Sequence, residues 1–373
     1  MTGQSSWFQR YLLPGFAFKA VVIGGGYATG RELAEFFMSS GPRAGLMGML
    51  LAMVIWSVVC AATFLFARAT SSLDYRTFFK NLLGPAWPVF EIVYFLFVVL
   101  ILAVFGAAAG VLGEVAFGLP KIVGTLALMA LIAFFATYGN ASVERLFKWV
   151  SIFLYATYAI FVVLALTKFG DRILAGFALP APPEAKNWAA GGLTYASYNI
   201  FGAVVILPVV RHFLSSRDAV VAGLVAGPLA MLPAMLFFTC MVAYYPEIAS
   251  ATLPSDVMLQ KLNMPAFHLV FQLMIFAALL ESGTGMVHAI NERIAHAWKA
   301  KRDRAIPNTA RLVVAAVLLV GSIFLADRFG LVELIAKGYP KFGWLILAIY
   351  VLPLMTWGMW RLWKGRRAGP APA

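Results

Sequence analysis

The chain has 373 residues, 62% of them hydrophobic and 12% charged, with a formal net charge of +13 and a mean hydropathy of +0.85. A soluble domain is nearer half apolar and a quarter charged, so these figures exclude one and require several membrane spans. The positive charge is compatible with nucleic acid or anionic lipid, but its placement along the chain explains it more simply as topology.

At about 20 apolar residues per span, ten segments follow in chain order: residues 12–38, 44–67, 86–116, 120–138, 146–167, 190–213, 219–245, 265–295, 309–326 and 341–363. The polar first ten residues lead straight into an apolar run, so no cleavable signal peptide is expected. Connections are short, except a Pro-rich loop at 168–188 and the stretch 246–265, where Pro254-Ser255-Asp256 can start a short surface helix. With the N-terminus inside, most of the 29 Lys and Arg residues fall on the cytoplasmic side, including the basic end WKGRR at 363–367. Both termini are then cytoplasmic, as an even span count requires. Cys60 and Cys240 lie inside apolar runs and read as small packing residues, with no CxxC or disulfide pattern.

The stretch at 21–37, VVIGGGYATGRELAEFF, breaks the first segment with Gly24, Gly25, Gly26 and Gly30. Each glycine costs a helix roughly 1 kcal/mol relative to alanine. In hydrocarbon a freed backbone group must also find a partner, so irregular backbone persists only where it lines a cavity or binds something. A second interruption, GGLTYASYNIFG at 191–202, follows about 170 residues later, and the other segments pair at offsets of roughly 175 to 200 residues. Five spans per repeat is odd, so the second copy inserts upside-down. Paired interruptions in inverted halves point to a binding site near the bilayer midplane; the structural alternative is two glycine-rich helices packed closely.

The glycine stretch imitates two soluble motifs and satisfies neither. Gly25 and Gly30 have P-loop spacing, but Arg31-Glu32 replaces the required Lys and Ser/Thr; Gly24-x-Gly26 lacks the third glycine of a dinucleotide fingerprint. No HExxH, GxSxG or paired Cys/His set occurs, and Ser282 with His288 lacks an acidic orienter, so no enzyme is expected.

The broken helices supply chemistry without such motifs. Free amides after Gly26 and the positive end of the second half-helix favour a carboxylate, while carbonyls released at residues 23–25 can meet a cation. Tyr195, Ser197, Tyr198 and Asn199 sit at the matching break in segment six. Together they suit a small zwitterion, although the tyrosines also fit a packing or interfacial role. Glu281 lies mid-span in segment eight, where a charge is expensive and usually functional. It can hold sodium, carry a proton, or be a buried hydrogen-bonding or ion-paired group. Ser282, Thr284, His288 and Glu292 follow it, with Glu292-Arg293 read as a local ion pair at the membrane boundary. Arg31 and Glu35 have i,i+4 pair spacing, with Glu32 beside them, fit either to gate the outer vestibule or simply to cap and pair there. Glu91 and Glu114 read as boundary residues.

GGGYATGRELAEFF, TYASYNIFGAVVILP and LESGTGMVHAINERI in segments one, six and eight resemble the YkvI-like family of bacterial membrane proteins. That family lies in the amino acid–polyamine–organocation (APC) superfamily and has the LeuT-type fold. The resemblance implies an all-α membrane protein of about ten transmembrane helices in a 5+5 inverted repeat, with discontinuous helices one and six. Repeats of 1–189 and 190–363 and a cytoplasmic tail at 364–373 follow, in the bacterial cytoplasmic membrane. It further implies alternating access by rocking segments one, two, six and seven, driven by sodium or protons.

By position, Gly24, Gly25, Gly26, Tyr27, Ala28 and Thr29 would hold the solute with Tyr195, Ser197, Tyr198 and Asn199. Ile23, Gly24, Glu281, Ser282 and Thr284 would carry the coupling ion, with Arg31 and Glu32 as a gate. In sodium-coupled relatives a Ser/Thr pair in segment eight completes a sodium site; here the pair is Glu281-Ser282 and only Ser282 matches. In a proton-coupled branch a lysine in segment five replaces the sodium, and residues 152–157 contain none. The coupling ion stays open. No organic cofactor or nucleic-acid partner is expected; the partners are a small-molecule solute and the bilayer. Rival readings on the same fold are a substrate-sensing receptor and a channel.

Overall fold

Apolar runs in lipid can satisfy their backbone only as helices or closed barrels, and their side chains here choose helices. The computed structural model describes residues 5–23, 25–138, 141–302 and 307–367, and among these all regular structure is helical. Seven runs are long and apolar enough to cross a membrane by length and composition. Segments one and six fall outside that set because each is broken, and segments nine and ten are counted as one run, 308–364. A turn at Gly330 (φ +68°, ψ 173°) separates those last two. About ten membrane segments result, as expected.

Segment one comprises Leu13–Val22 and Arg31–Phe36, and segment six comprises Trp188–Asn199 followed by Gly202–Val205 and the tight turn Leu207–His212. Segments two (Pro42–Ala69), three (Trp87–Phe117), four (Lys121–Tyr138) and seven (Ser216–Val242) are continuous helices, and segment nine is continuous within Asn308–Glu333 as far as the kink at Gly330. Segment five (Ala141–Ala178) is longer than expected, because Gly170 and Gly176 do not break it. The loop begins only at Leu179, just before Pro180, Pro182 and Pro183, which cannot continue a helix. Segment eight (Pro265–Arg302) also extends past its expected end. Segment ten runs on from the Gly330 kink through alternating α- and π-helical turns to Arg367. A helix at Trp7–Tyr11, capped by Ser6 and Gln9, precedes segment one, and Tyr75–Leu83, capped by Asp74, precedes segment three. Pro254–Leu262 forms the short helix that its Pro-Ser-Asp start announces.

Segments one, two, six and seven pack as one group, and three, four, eight and nine as another. Small residues set the first group's spacing. A Cβ at Gly223 would collide with the backbone of Ala61, and one at Gly192 with the Gly48 carbonyl, so segment seven lies directly on two, and six on two. Without a hydrophobic driving force between helices in lipid, such close approach supplies van der Waals packing. Cys60 and Cys240 are buried and free within this group.

Two faces follow from the chain path. The terminal face carries Trp7–Tyr11, Tyr75–Leu83 and the end of segment ten. The distal face carries the second half of segment one and the helix Pro254–Leu262.

Candidate solute site between two broken helices

The break in segment one begins at Ile23 (ψ 79°), passes through a single turn at Gly25–Ala28, and ends at Gly30 in the left-handed region (φ +77°). Gly24 lies outside the described residues. A Cβ at Gly30 would come within 2.8 Å of Phe237 and 3.1 Å of Pro254. Both conformation and space therefore restrict this position to glycine. In segment six the helix stops at Asn199, whose Nδ2 donates to the Tyr195 carbonyl at 3.0 Å.

The two breaks meet around a cavity of about 50 Å³. Glu32, Tyr198, Asn199, Ser282, Met286 and Tyr339 line it, with Val21 and Val22 from segment one, Phe97, Ile101 and Phe105 from segment three, and Phe201. A water needs roughly 10–15 Å³ of such space, so the cavity in this conformation holds a few waters or a very small solute.

Glu32 is 5% exposed. The Tyr198 hydroxyl donates to its Oε2 at 2.7 Å, joining the start of the second half of segment one to the break in segment six. Arg31 turns away from it: Nη2 donates to Glu35 at 2.6 Å, and Nη1 donates to the carbonyls of Ala249 and Ala251 at 3.1 and 2.8 Å. Lys186 also pairs with Glu35. Among the described residues no cationic side chain is paired with Glu32. A buried carboxylate needs a proton or a counter-charge, and this one faces a cavity where either can arrive.

The other expected residues divide. Asn199 and Ser282 line the cavity with Tyr198. The Ser197 hydroxyl instead donates to the Thr194 carbonyl at 2.7 Å and abuts Gly343 of segment ten. Tyr195 is fully buried against Phe37 and Trp56, and its hydroxyl has no hydrogen-bond partner among the described residues. Tyr27 stacks on Tyr158, with the Tyr158 hydroxyl donating to Tyr27 at 3.5 Å. Ala28 and Thr29 are buried, and the Thr29 carbonyl accepts from Ser255 N–H at 3.0 Å. Thr284 is buried, its Oγ1 without a hydrogen-bond partner among the described residues, whereas Glu281 is half-buried and His288 exposed. Tyr155 lies within electrostatic reach of Glu281, and the ammonium of Lys19 sits 4.1 Å from the Tyr155 ring centroid. A cation from segment one thus stands beside the part of segment five that carries no lysine of its own.

Each face carries ionic contacts. At the distal face Arg31, Glu35 and Lys186 tie segment one to the loops. At the terminal face Arg10 donates to both carboxylate oxygens of Asp218 at 3.0 and 2.7 Å, and Tyr11 adds a hydrogen bond at 2.9 Å. Arg293 lies over the rings of Tyr75 and Tyr94, 3.9 and 4.0 Å from their centroids. It is not the partner of Glu292, which pairs with Arg311 at 2.6 Å; adjacent helical residues do not face each other. Glu91 and Glu114 pair with Arg76 and Lys121 near the ends of segment three. The cavity walls from segments three and ten carry no motif; only their apolar character was visible in the sequence.

Ten segments with the first and sixth broken around a shared cavity define the LeuT-type fold of membrane transporters. Solved structures agree. MhsT in complex with L-phenylalanine has a TM-score of 0.63 and 17% identity, covering 93% of this chain and 89% of that one. A Na+-coupled sialic acid symporter has a TM-score of 0.58 at 12% identity, covering 95% and 82%. A mutant of the Eremococcus coleocola manganese transporter has a TM-score of 0.56 at 14% identity, covering 95% and 80%. In sequence the chain is similar to the uncharacterized membrane protein YkvI of Bacillus subtilis (strain 168), with 24% identity over 346 residues, 89% of this chain and 92% of that protein. No protein-family model matches the chain.

Proposed function

We propose that the protein is an ion-coupled secondary transporter that moves a small polar solute, of the amino-acid class, by alternating access through the cavity between segments one and six. The observation that carries this reading is the Glu32 carboxyl, buried in that cavity with the Tyr198 hydroxyl as its hydrogen-bond partner. Glu32 offers the pole for the solute's ammonium; Tyr27 and Ala28 do not line the cavity in this conformation, so the amides of the turn at Gly25–Ala28 meet the carboxylate only once the cavity widens toward that turn. Phe97, Ile101, Phe105 and Met286 supply apolar walls for a side chain. The similar solved structures, among them a Na+-coupled sialic acid symporter, a manganese transporter and MhsT in complex with L-phenylalanine, support transport on this fold.

The terminal face is the cytoplasmic one in this reading, from the placement of Lys and Arg. The ion pairs at the two faces act as alternate locks: Arg10–Asp218 opens when the cavity faces the cytoplasm, and Arg31–Glu35–Lys186 opens when it faces outward. The coupling ion is sodium or a proton at the corner formed by Glu281, Ser282 and Thr284. The Lys19 ammonium near that corner supports the proton, because a fixed cation there repels sodium.

A thermal-shift screen of amino acids and related compounds, with and without sodium and at two pH values, tests the reading. A true ligand raises the unfolding temperature by mass action, and Glu32→Gln loses that rise. Stabilisation by no zwitterion, or equal stabilisation of the variant, contradicts it.

A further inference from the structure

At the terminal face, the ends of segments two, seven and ten and the helix Tyr75–Leu83 enclose a cleft of about 480 Å³, separate from the solute cavity. Thr70, Asn81, Ser216 and Arg361 give it a polar wall, and Leu65 and Leu362 an apolar one. Its charge is one-sided. Arg361 spends one donor on the Asn81 carbonyl at 3.1 Å, and a guanidinium has five N–H donors. Arg68 reaches the rim, donating to Ser216 Oγ at 3.1 Å. No acidic side chain lines the cleft among the described residues; neighbouring Asp218 is held by Arg10, and Asp74 caps the helix Tyr75–Leu83.

The same end of segment ten exposes Trp357, Trp360 and Trp363, with Arg361 and Lys364 lying over the first two rings at 5.2 and 4.6 Å. Exposed tryptophans of this kind mark the headgroup level of a bilayer. A basic pocket between helices at that level matches an anionic lipid headgroup. We infer that this cleft binds the phosphate of an anionic phospholipid through Arg361, with the glycerol and the start of the acyl chains against the apolar wall. Charge complementarity selects the phosphate, and the apolar wall and tryptophan belt select a lipid over a free anion.

The full-length protein is purified in a neutral detergent and its thermal unfolding followed with added phosphatidylglycerol, phosphatidylcholine or inorganic phosphate. Phosphatidylglycerol raises the unfolding temperature by several degrees more than phosphatidylcholine, and inorganic phosphate does not reproduce the rise. Arg361→Gln loses most of the difference, whereas Lys364→Gln, outside the cleft lining, keeps it. Ser216→Asp places a carboxylate in the cleft at a helix start, where it is compatible with folding, and also loses the difference. Equal responses to the two lipids overturn the inference, as does a full response in both Arg361→Gln and Ser216→Asp. A rise with inorganic phosphate alone makes the cleft a small-anion site and overturns the lipid assignment.

Discussion

The Tyr198 hydroxyl donates to Glu32 at 2.7 Å, joining residues 166 apart in the chain at the two helix breaks. One hydrogen bond thus couples both interrupted segments, and it ends on a carboxyl group that faces the cavity. Removing the donor while leaving the acceptor buried should be worse than changing the acceptor. Tyr198→Phe is expected to destabilise the protein by about 1–3 kcal/mol through the unsatisfied carboxyl. Glu32→Gln keeps an oxygen acceptor for Tyr198 and should fold nearly as stably while weakening solute binding by tenfold or more, since a charge-assisted bond is worth roughly 1.5–3 kcal/mol. Denaturation curves and ligand titrations of the two variants separate these effects.

Gly30 is strained for any other residue. With φ at +77° and a would-be Cβ 2.8 Å from Phe237, Gly30→Ala is expected to lower stability by about 1–3 kcal/mol. Gly223→Val should do at least as much, because its side chain has no room against Ala61. Loss of monodisperse protein during purification, or a lowered unfolding temperature, reads out both.

Arg31 uses its planar fork on three partners, the Glu35 carboxylate and the carbonyls of Ala249 and Ala251. Arg31→Lys keeps the charge but cannot reproduce that geometry. It should loosen the distal face and make a cysteine placed at Ser282 more reactive to thiol reagents from that side. Unchanged labelling would show that Arg31 does not hold this face closed.

The Arg10–Asp218 pair predicts the converse at the terminal face. Removing one partner of an ion pair is destabilising when the charge left behind is the more buried one. Asp218 is 1% exposed while Arg10 is partly exposed, so Arg10→Gln, which leaves Asp218 its bonds from Tyr11 and from the Leu214 and Ser215 N–H groups but takes away its counter-charge, should be the more damaging change. Asp218→Asn leaves Arg10 able to reach water and should mainly raise labelling of the cavity from the terminal face.

How much of this was legible in the chain depends on what each residue asks of its surroundings. The two breaks were legible because glycines in an apolar run conflict with helix propensity whatever the tertiary structure. The direction of side chains beyond a break was not. Gly30 enters the left-handed region and resets the helical phase, so periodicity places Glu32 next to Arg31 without showing that it turns into the cavity. Ser197 still belongs to the helix Trp188–Asn199, one turn before the chain departs from it, and its hydroxyl is consumed by the Thr194 carbonyl. The reach of segment five was misjudged because glycine weakens a helix only mildly while proline stops it. Arg293 and Glu292 looked like partners by adjacency, yet the helix sends them to segments three and nine respectively.

Uptake into proteoliposomes measures the central claim most directly, using the zwitterion that gives the largest thermal shift and imposing a sodium or a proton gradient. The wild-type protein should accumulate the solute above its external concentration under one of the two gradients. Glu281→Gln should lose that accumulation, and Glu32→Gln should lose uptake altogether. Equilibration of the solute regardless of either gradient, or tight binding with no flux, would contradict alternating-access transport and make the protein a channel or a receptor.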